Sequence, residues 1–362
     1  MYNSSILNSK IFKTFLISAL FLLLGVMPTL SFSQENVKKE ESKPFDPKEV
    51  VFEHIGDSHF WPVTIPLMHE HFISLPVILY TDKGLEIFLS GVLLKEEGKE
   101  EGPVYKGTHY SYKLEGNKIV AVNEAGEVDK TAKVYDFSIT RNVASMWMGM
   151  IILLIVFFAV TSGYRKNVGK APKGIQALLE PVILFVRDDV AIPNIGIKHG
   201  RYMPLLLTIF FFILINNLLG LVPFFPGGFN LTGNIAVTLV LSVIVLIVIN
   251  FSGNKYYWKH IFTPDIPVWL YPIMVPVEII GIISKPFALM IRLFANITAG
   301  HIIVLSLISL IFIFKTAWMS TVSVPFVVFM DMIELLVAFL QAFIFTMLTS
   351  LFIGMAVEEH HH

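Results

Sequence analysis

Residues 266–314 carry the sequence IPVWLYPIMVPVEIIGIISKPFALMIRLFANITAGHIIVLSLISLIFIF, which stays predominantly apolar over 49 positions. An α-helix needs about 20 such residues to cross the ~30 Å hydrocarbon core of a membrane, so this stretch is about twice as long as one upright crossing requires. Its length fits either two helices or one long, steeply tilted helix. A second overlong apolar stretch follows at residues 323–357. Together they indicate a polytopic, α-helical membrane protein.

Both stretches contain ionisable side chains at membrane depth, namely Glu278, Lys285 and Arg292 in the first and Asp331 and Glu334 in the second. A charge at the bilayer centre costs at least about 2.5–3.5 kcal/mol, and such residues mark ion paths or proton relays by default. The alternatives are ion pairs that hold helices together and side chains that snorkel to the interface. The pattern favours an ion path for Arg292, whereas for Lys285 and Asp331 a structural role explains the charge about as well.

Residue spacing assigns the polar side chains of the first stretch to two helix faces. Glu278, Lys285 and Arg292 are seven residues apart and nearly share a face, with Asn296 one turn beyond Arg292. His301 follows Arg292 by nine residues, about half a revolution, and is therefore expected to point elsewhere.

The last apolar stretch repeats this spacing, because Glu334 and Gln341 are also seven residues apart and share a face. Antiparallel pairing of the two helices would bring Glu334 near His301. Two polar surfaces separated by the fixed charge of Arg292 are the arrangement expected of two aqueous half-paths that must not join.

The membrane region begins with three shorter crossings, at about 145–163, 202–222 and 232–251. Residues 164–201 carry seven Lys or Arg against three Asp or Glu, so the positive-inside rule places this loop in the cytoplasm. Within the loop, residues 174–190 have helical apolar spacing and are expected to lie along the interface. If residues 266–314 and 323–357 each form one crossing, the C-terminus is also cytoplasmic, and a cell inner (plasma) membrane location is expected.

The N-terminal third has a different composition, with 32 charged residues in 35–144 against 21 in 145–362. Residues 1–33 have the pattern of a secretory signal peptide, with an uncleaved first membrane helix as the alternative. Residues 34–144 are therefore expected outside the cytoplasm. They comprise a charged leader and a small β-rich domain with apolar runs at 76–80, 85–89 and 118–122.

Composition excludes several classes of protein. A net charge of −1 lacks the positive field of a nucleic-acid-binding protein, and the absence of cysteine excludes disulfide scaffolds and thiolate zinc sites. His69 and His71 would share a face of a strand, but exposed histidines explain them better than a metal site, so neither a metal nor a cofactor is assigned. The terminal residues His360, His361 and His362 fit a native tail or a tag remnant equally.

Several blocks of the membrane region resemble subunit a of the F-type ATP synthase. The blocks are RLFANITAGH at 292–301, PVE at 276–278, SKP at 284–286, LQAFIF at 340–345, NNLLGLVP at 216–223 and GNIAVT at 233–238. The resemblance covers roughly residues 145–358. Residues 35–144 are longer than the corresponding region of a typical bacterial member, so the family offers no role for most of them.

The resemblance implies an all-α membrane domain, residues 145–362, with a long tilted C-terminal helical hairpin over about 266–314 and 323–357. It further implies a stator that provides two half-channels beside a rotating ring of c subunits. By position, Arg292 is the fixed charge that faces the c-ring, and Asn296 and Gln341 are its amide neighbours. The proton path is then assigned to His301 and Glu334 in the outer half-channel, Glu278 in the inner one, and Asn217 and Asn234 as walls, although core hydrogen bonding would explain the last two equally well.

The implied partners are the c-subunit ring, the b subunits of the peripheral stalk, the rest of the ATP synthase and membrane lipid. Such a subunit catalyses no reaction by itself. Some bacterial members carry Glu and His at the two half-channel positions where this sequence has His301 and Glu334. This reciprocal exchange suggests that the pair works as a unit. Coupling to H⁺ is expected, while Na⁺ coupling would depend chiefly on the ring.

The alternative from another class is a secondary transporter with an exported sensor domain, in which Arg292 and Glu334 bind a charged substrate. The sequence lacks the paired repeat of Gly/Pro-broken helices that places a substrate site at the midplane. A membrane hydrolase is disfavoured further, because neither Gly-x-Ser-x-Gly nor His-Glu-x-x-His occurs.

Overall fold

The structure is a computed structural model that describes residues 56–63, 71–94, 103–116, 118–123, 126–129, 131–167, 170–222, 227–229, 231–263 and 266–358. These residues belong to one compact unit. The expected signal peptide at 1–33 and the leader up to residue 55 lie outside the described residues.

The described N-terminal residues form short antiparallel strands. They are β1 Phe60–Val63, β2 His71–Ser74, β3 Pro76–Thr81, β4 Gly84–Leu89, β5 Tyr105–Lys106, β6 Ser111–Glu115, β7 Lys118–Val122 and β8 Val134–Asp136. Within the described part of the chain they pair as β1–β2, β4–β3–β8 and β5–β6–β7. The three apolar runs expected from the sequence form β3, β4 and β7.

The core of this β-rich region lies between the two three-stranded sheets. Alternate side chains of β3 point inward, and Val77 and Leu79 are fully buried. Glu86 of β4 is buried as well, and its carboxylate accepts hydrogen bonds from the His109 backbone N–H (2.7 Å) and the Tyr112 hydroxyl (3.0 Å). Burial and this bond together raise the pKa of Tyr112. The buried carboxylate is therefore satisfied and belongs to the core.

The rest of the chain is helical. The helices are α1 Arg141–Lys166, α2 Ile175–Phe185, α3 Ile192–Ile195, α4 His199–Leu221, α5 Ile235–Ser252, α6 Lys255–Phe262, α7 Tyr271–Phe314 and α8 Ala317–Val357. Among the described residues, five helical stretches are long and apolar enough to cross a membrane: Arg141–Lys166, Ile175–Leu221, Ile235–Ser252, Tyr271–Phe314 and Trp318–Val357.

The first overlong apolar stretch is one continuous helix rather than two. Helix α7 runs through Pro276 and Pro286 without ending, although a proline inside a helix removes one backbone hydrogen bond. The hairpin is closed at Lys315, which adopts the left-handed conformation (φ 49°) that ends a helix sharply. Helix α8 then returns antiparallel to α7, and the Lys285 ammonium lies 5.5 Å from the centre of the Phe352 ring.

The helix expected at 174–190 extends further than the sequence indicated. After α2 the chain forms a π-helical turn, Val186–Ala191, and continues through α3 to Ile195. The Ser350 hydroxyl of α8 donates to the Val190 carbonyl at 3.0 Å, and the ring of Phe185 packs against Phe343. Contacts with α8 therefore fix this segment along one side. The helix starts also shift, from 145 to Arg141 for α1 and from 323 to Ala317 for α8.

Candidate functional site

Helices α4, α7 and α8 enclose a cavity of about 310 Å³. Five polar side chains line it: Asn217 from α4, Asn296 and His301 from α7, and Glu334 and Gln341 from α8. The remaining lining residues are apolar or glycine. Five of the eight residues singled out from the sequence therefore meet around one space inside the helical region.

Glu334 projects from α8 across the cavity towards α7. Its Oε1 atom is buried and makes no hydrogen bond among the described residues. The atom lies against Gly300, where a Cβ would collide with Oε1 and would stand only 2.9 Å from Cδ. Because a buried carboxylate oxygen without a partner is costly, this atom is poised to accept a proton or a hydrogen bond from water.

His301 lies beside a second glycine, Gly220 of α4. A Cβ at position 220 would stand 3.9 Å from His301 Nε2 and 2.8 Å from the carbonyl oxygen of Phe229. The missing side chain thus lets the backbone of residues 227–229 approach α4 next to the imidazole. Sequence reasoning missed Gly220 and Gly300, although a glycine within an apolar helix is a signal of close packing.

Asn217 is held in a fixed orientation in the cavity wall. Thr232 donates its hydroxyl proton to Asn217 Oδ1 at 2.6 Å, and Asn217 Nδ2 donates to the Ala338 carbonyl at 3.4 Å. Asn217 and Thr232 are 4% and 2% exposed. Thr232 is a further residue that the sequence did not single out, since it lies in the turn before α5 and its partner lies on α4.

Arg292 does not line the cavity but lies on nearly the same face of α7 as two residues that do. Its side chain is exposed, and among the described residues the guanidinium makes no ion pair. Asn296 and Ala299, which both line the cavity, follow Arg292 by one and two turns on nearly the same face of α7. The cavity therefore extends around α7 from the His301 side to the arginine side. Helical spacing predicted that Asn296 and His301 belong to separate polar surfaces, whereas in the structure both line one cavity.

Two other predicted positions lie outside the cavity. Asn234 caps α5, because its Oδ1 atom accepts from the Ala236 backbone N–H at 2.9 Å. Glu278 lies near α6, where burial and then the Glu278 charge raise the pKa of Tyr257. Their roles as a path wall and as an inner-channel carboxylate stay predictions.

The side chains that line the cavity include groups that can bind and release protons. A histidine and a carboxylate face one space, and three amides can hold water there. Within the described ranges, no group of three or more His, Cys, Asp or Glu side chains is placed to hold a metal ion.

Comparison with known proteins gives two family matches. The model for the ATP synthase A chain matches residues 143–354, and that for a domain of unknown function (DUF8433) matches residues 50–137.

Curated relatives match more than three fifths of the chain. Over 233 residues the chain is 48% identical to ATP synthase subunit a of Chloroherpeton thalassium, covering 63% of this chain and 69% of the relative. Identity to ATP synthase subunit a 2 of Chlorobaculum tepidum is 48%, covering 62% and 65%. Identity to ATP synthase subunit a of Myxococcus xanthus is 45%, covering 63% and 75%.

Proposed function

This chain belongs to the ATP synthase A chain family, and from that membership and the geometry above we propose that the cavity is a proton path ending beside Arg292. The chain is a multi-pass membrane subunit of the ATP synthase complex, acts as a stator of its proton channel, and catalyses no reaction by itself. The observation that carries the proposal is the cavity with Glu334 and His301 on its walls and the arginine face at its edge.

In the proposed mechanism, Arg292 faces a carboxylate on each c subunit of the ring as that subunit passes. Arginine stays protonated under all relevant conditions, so its charge is fixed. At about 4 Å and an effective dielectric of about 20, the attraction stabilises the ionised carboxylate by about 4 kcal/mol. The ring carboxylate therefore releases its proton at the arginine. The same charge opposes a proton that would cross directly from one half-channel to the other.

His301 and Glu334 form the proton relay of the outer half-channel in this proposal. The imidazole exchanges protons near neutral pH, and Glu334 has a buried oxygen without a fixed partner. Asn296 and Gln341 line the same space and orient water between the relay and the ring. Glu278, near α6 at the other end of the helix, belongs to the inner half-channel. Asn217 completes the outer wall.

The orientation and the partners follow from the same proposal. The N-terminal β-rich region lies outside the cytoplasm, the C-terminus lies inside, and the membrane is the cell inner membrane. The ring of c subunits packs on the exposed face of α7 that carries Arg292, and b subunits complete the stator. Each proton that falls through 100 mV then supplies about 2.3 kcal/mol for rotation. The comparisons do not support the secondary transporter.

Substitution of Gly300 by alanine tests the cavity as a proton path. The added Cβ would collide with Glu334 Oε1, so the carboxylate must move out of place while the helix keeps its length. Misplacement of a reacting group by about 1 Å can cost up to about a hundredfold, and we expect proton-driven ATP synthesis to fall at least about tenfold. The measurement is the rate of synthesis by reconstituted vesicles under an imposed proton gradient.

Gly200→Ala is the matched control, since it adds the same methyl group to another helix, α4, at a position with open space around it. It should leave the rate within about twofold, because alanine is also the better helix former. Equal rates for the Gly300 and Gly200 variants would contradict a proton path through this cavity.

A further inference from the structure

Trp61 joins the N-terminal β-rich region to the helices that line the cavity. Its side chain is 6% exposed and meets the ring of Phe229 edge to face, with centroids 6.1 Å apart and planes at 89°. Six partly buried apolar residues from or near the ends of α1, α4 and α5 pack around Trp61, Phe229 and Leu231: Ala144, Met146, Met148, Phe212, Leu219 and Val237. The β-rich region is therefore docked on the helices through an apolar contact.

Polar contacts fix the chain just before Trp61 to the start of α1. The backbone N–H of Arg141 donates to the Ser58 carbonyl at 2.7 Å, and the Arg141 guanidinium donates to the Gly56 carbonyl. The backbone N–H of Asn142 donates to Asp57 Oδ1 at 3.1 Å. Residues 56–58 thus cap the first membrane helix.

A further pair ties the same segment to strand β8. His59 is 4% exposed and its Nε2 lies 2.9 Å from Asp136 Oδ2. Burial alone would raise the pKa of Asp136, but hydrogen bonds from His59 and Ser138 outweigh it and lower that pKa. Asp136 is therefore ionised at neutral pH, and the segment that carries Trp61 is held from both sides.

The contact of Trp61 continues inward to the cavity wall. The carbonyl oxygen of Phe229 lies against Gly220, next to the imidazole of His301. Three residues beyond Phe229, the hydroxyl of Thr232 holds Asn217 at 2.6 Å. Both His301 and Asn217 line the cavity. Two contacts thus lead from the Phe229 segment, which Trp61 meets edge to face, to two of the proposed proton-path residues.

We propose that Trp61 is a positioning residue, which holds the segment around Phe229 so that Asn217 and His301 keep their places in the cavity wall. The β-rich region, for which the family match gives no function, thereby frames the outer half-channel. This inference rests on the proposed function, because it assigns the cavity to proton transfer.

The test uses the intact reconstituted complex with Trp61→Ala. The rate of ATP synthesis per assembled complex is measured against the pH of the compartment that the β-rich region faces, with the opposite pH held constant. We expect the rate to fall at least about threefold. We also expect the midpoint of the pH profile to move by at least about 0.5 unit, because the solvation and hydrogen bonding of the relay change when its wall moves.

Trp61→Phe retains a ring against Phe229 and should restore both the rate and the midpoint. Phe229→Leu removes the ring contact with Trp61 from the other side, so it should give the same shift of the pH midpoint. This variant keeps the test valid if Trp61→Ala fails to assemble. Tyr135→Ala, at a residue of β8 that is 57% exposed, is the control that should change neither. Three results would overturn the proposal. The Trp61 and Phe229 variants could keep the rate and the midpoint of the native protein, or they could lose rate without a shift of the midpoint. The Tyr135 variant could also show an equal shift.

The outcome can be separated from a failure of the proposed function by including Arg292→Ala. If the arginine variant is inactive while the Trp61 and Phe229 variants keep the native pH profile, only the role of Trp61 is wrong. If the arginine variant synthesises ATP, the proton path itself is wrong.

Discussion

Vesicles that carry Arg292→Ala are expected to lose proton-driven ATP synthesis by at least about a hundredfold, while the variant still inserts and assembles. The fixed charge stabilises the ionised ring carboxylate by about 4 kcal/mol, and each 1.36 kcal/mol corresponds to a factor of ten in the proton-release equilibrium. Without that charge the ring carboxylate keeps its proton, so the proton gradient no longer drives rotation in one direction. The measurement is the initial rate of synthesis under an imposed gradient, normalised to assembled complex.

Two variants control for the loss of a charge as such. Arg292→Lys keeps the charge but loses the planar, multiply donating guanidinium, and it should retain part of the activity. Lys285→Ala removes another cation from the same helix. The ammonium of Lys285 lies over the Phe352 ring, and Lys285 does not line the cavity. This substitution should cost far less than Arg292→Ala. Coupled synthesis that survives Arg292→Ala would refute the mechanism.

The second large effect is expected from the relay pair. His301→Glu or Glu334→His alone should lower proton-driven synthesis at least about tenfold, because a positioned proton donor or acceptor contributes about a hundredfold or more to transfer. The single changes leave two acids or two imidazoles facing the cavity, while the double variant restores one of each. The double exchange should therefore retain more activity than either single variant, in the same vesicle measurement.

A double-mutant comparison separates a shared relay from two independent sites. Residues in one network show interaction energies of about 0.5–3 kcal/mol, whereas independent sites add. Additive losses for His301→Glu and Glu334→His would argue against the relay. Gln341, which is buried and lines the same cavity, offers a further check. Replacement of Gln341 by alanine should leave the sign of the interaction energy between positions 301 and 334 unchanged.

Much of the helical region could be predicted from the sequence, because apolar length and positive charge act locally. The spacing of Glu278, Lys285 and Arg292 predicted that they share a helix face, and the three residues lie in one continuous helix. What the sequence left open was whether 266–314 is one helix or two, because Pro276 and Pro286 weaken a helix by amounts that tertiary packing can offset. The structure has one helix there.

The site was predicted residue by residue but not in its shape. Helical spacing placed Asn296 with Arg292 and His301 apart from them, yet a cavity between three helices touches more than one face of α7. The roles of Gly220 and Gly300 depend on atoms from other parts of the chain, which spacing within one helix cannot reveal. The same holds for Trp61 and Phe229, which are 168 residues apart in sequence.

The claim that Arg292 faces the ring can be measured directly by cross-linking. The chain contains no cysteine, so a single introduced thiol reports one position. Ala295 is exposed beside Arg292 on α7, whereas the adjacent Leu293 is 1% exposed. We expect Ala295→Cys to form a disulfide with a cysteine placed one turn from the carboxylate of a c subunit in the assembled complex, and Leu293→Cys to form none. Cross-linking through Leu293→Cys, or no cross-link from Ala295→Cys, would contradict it.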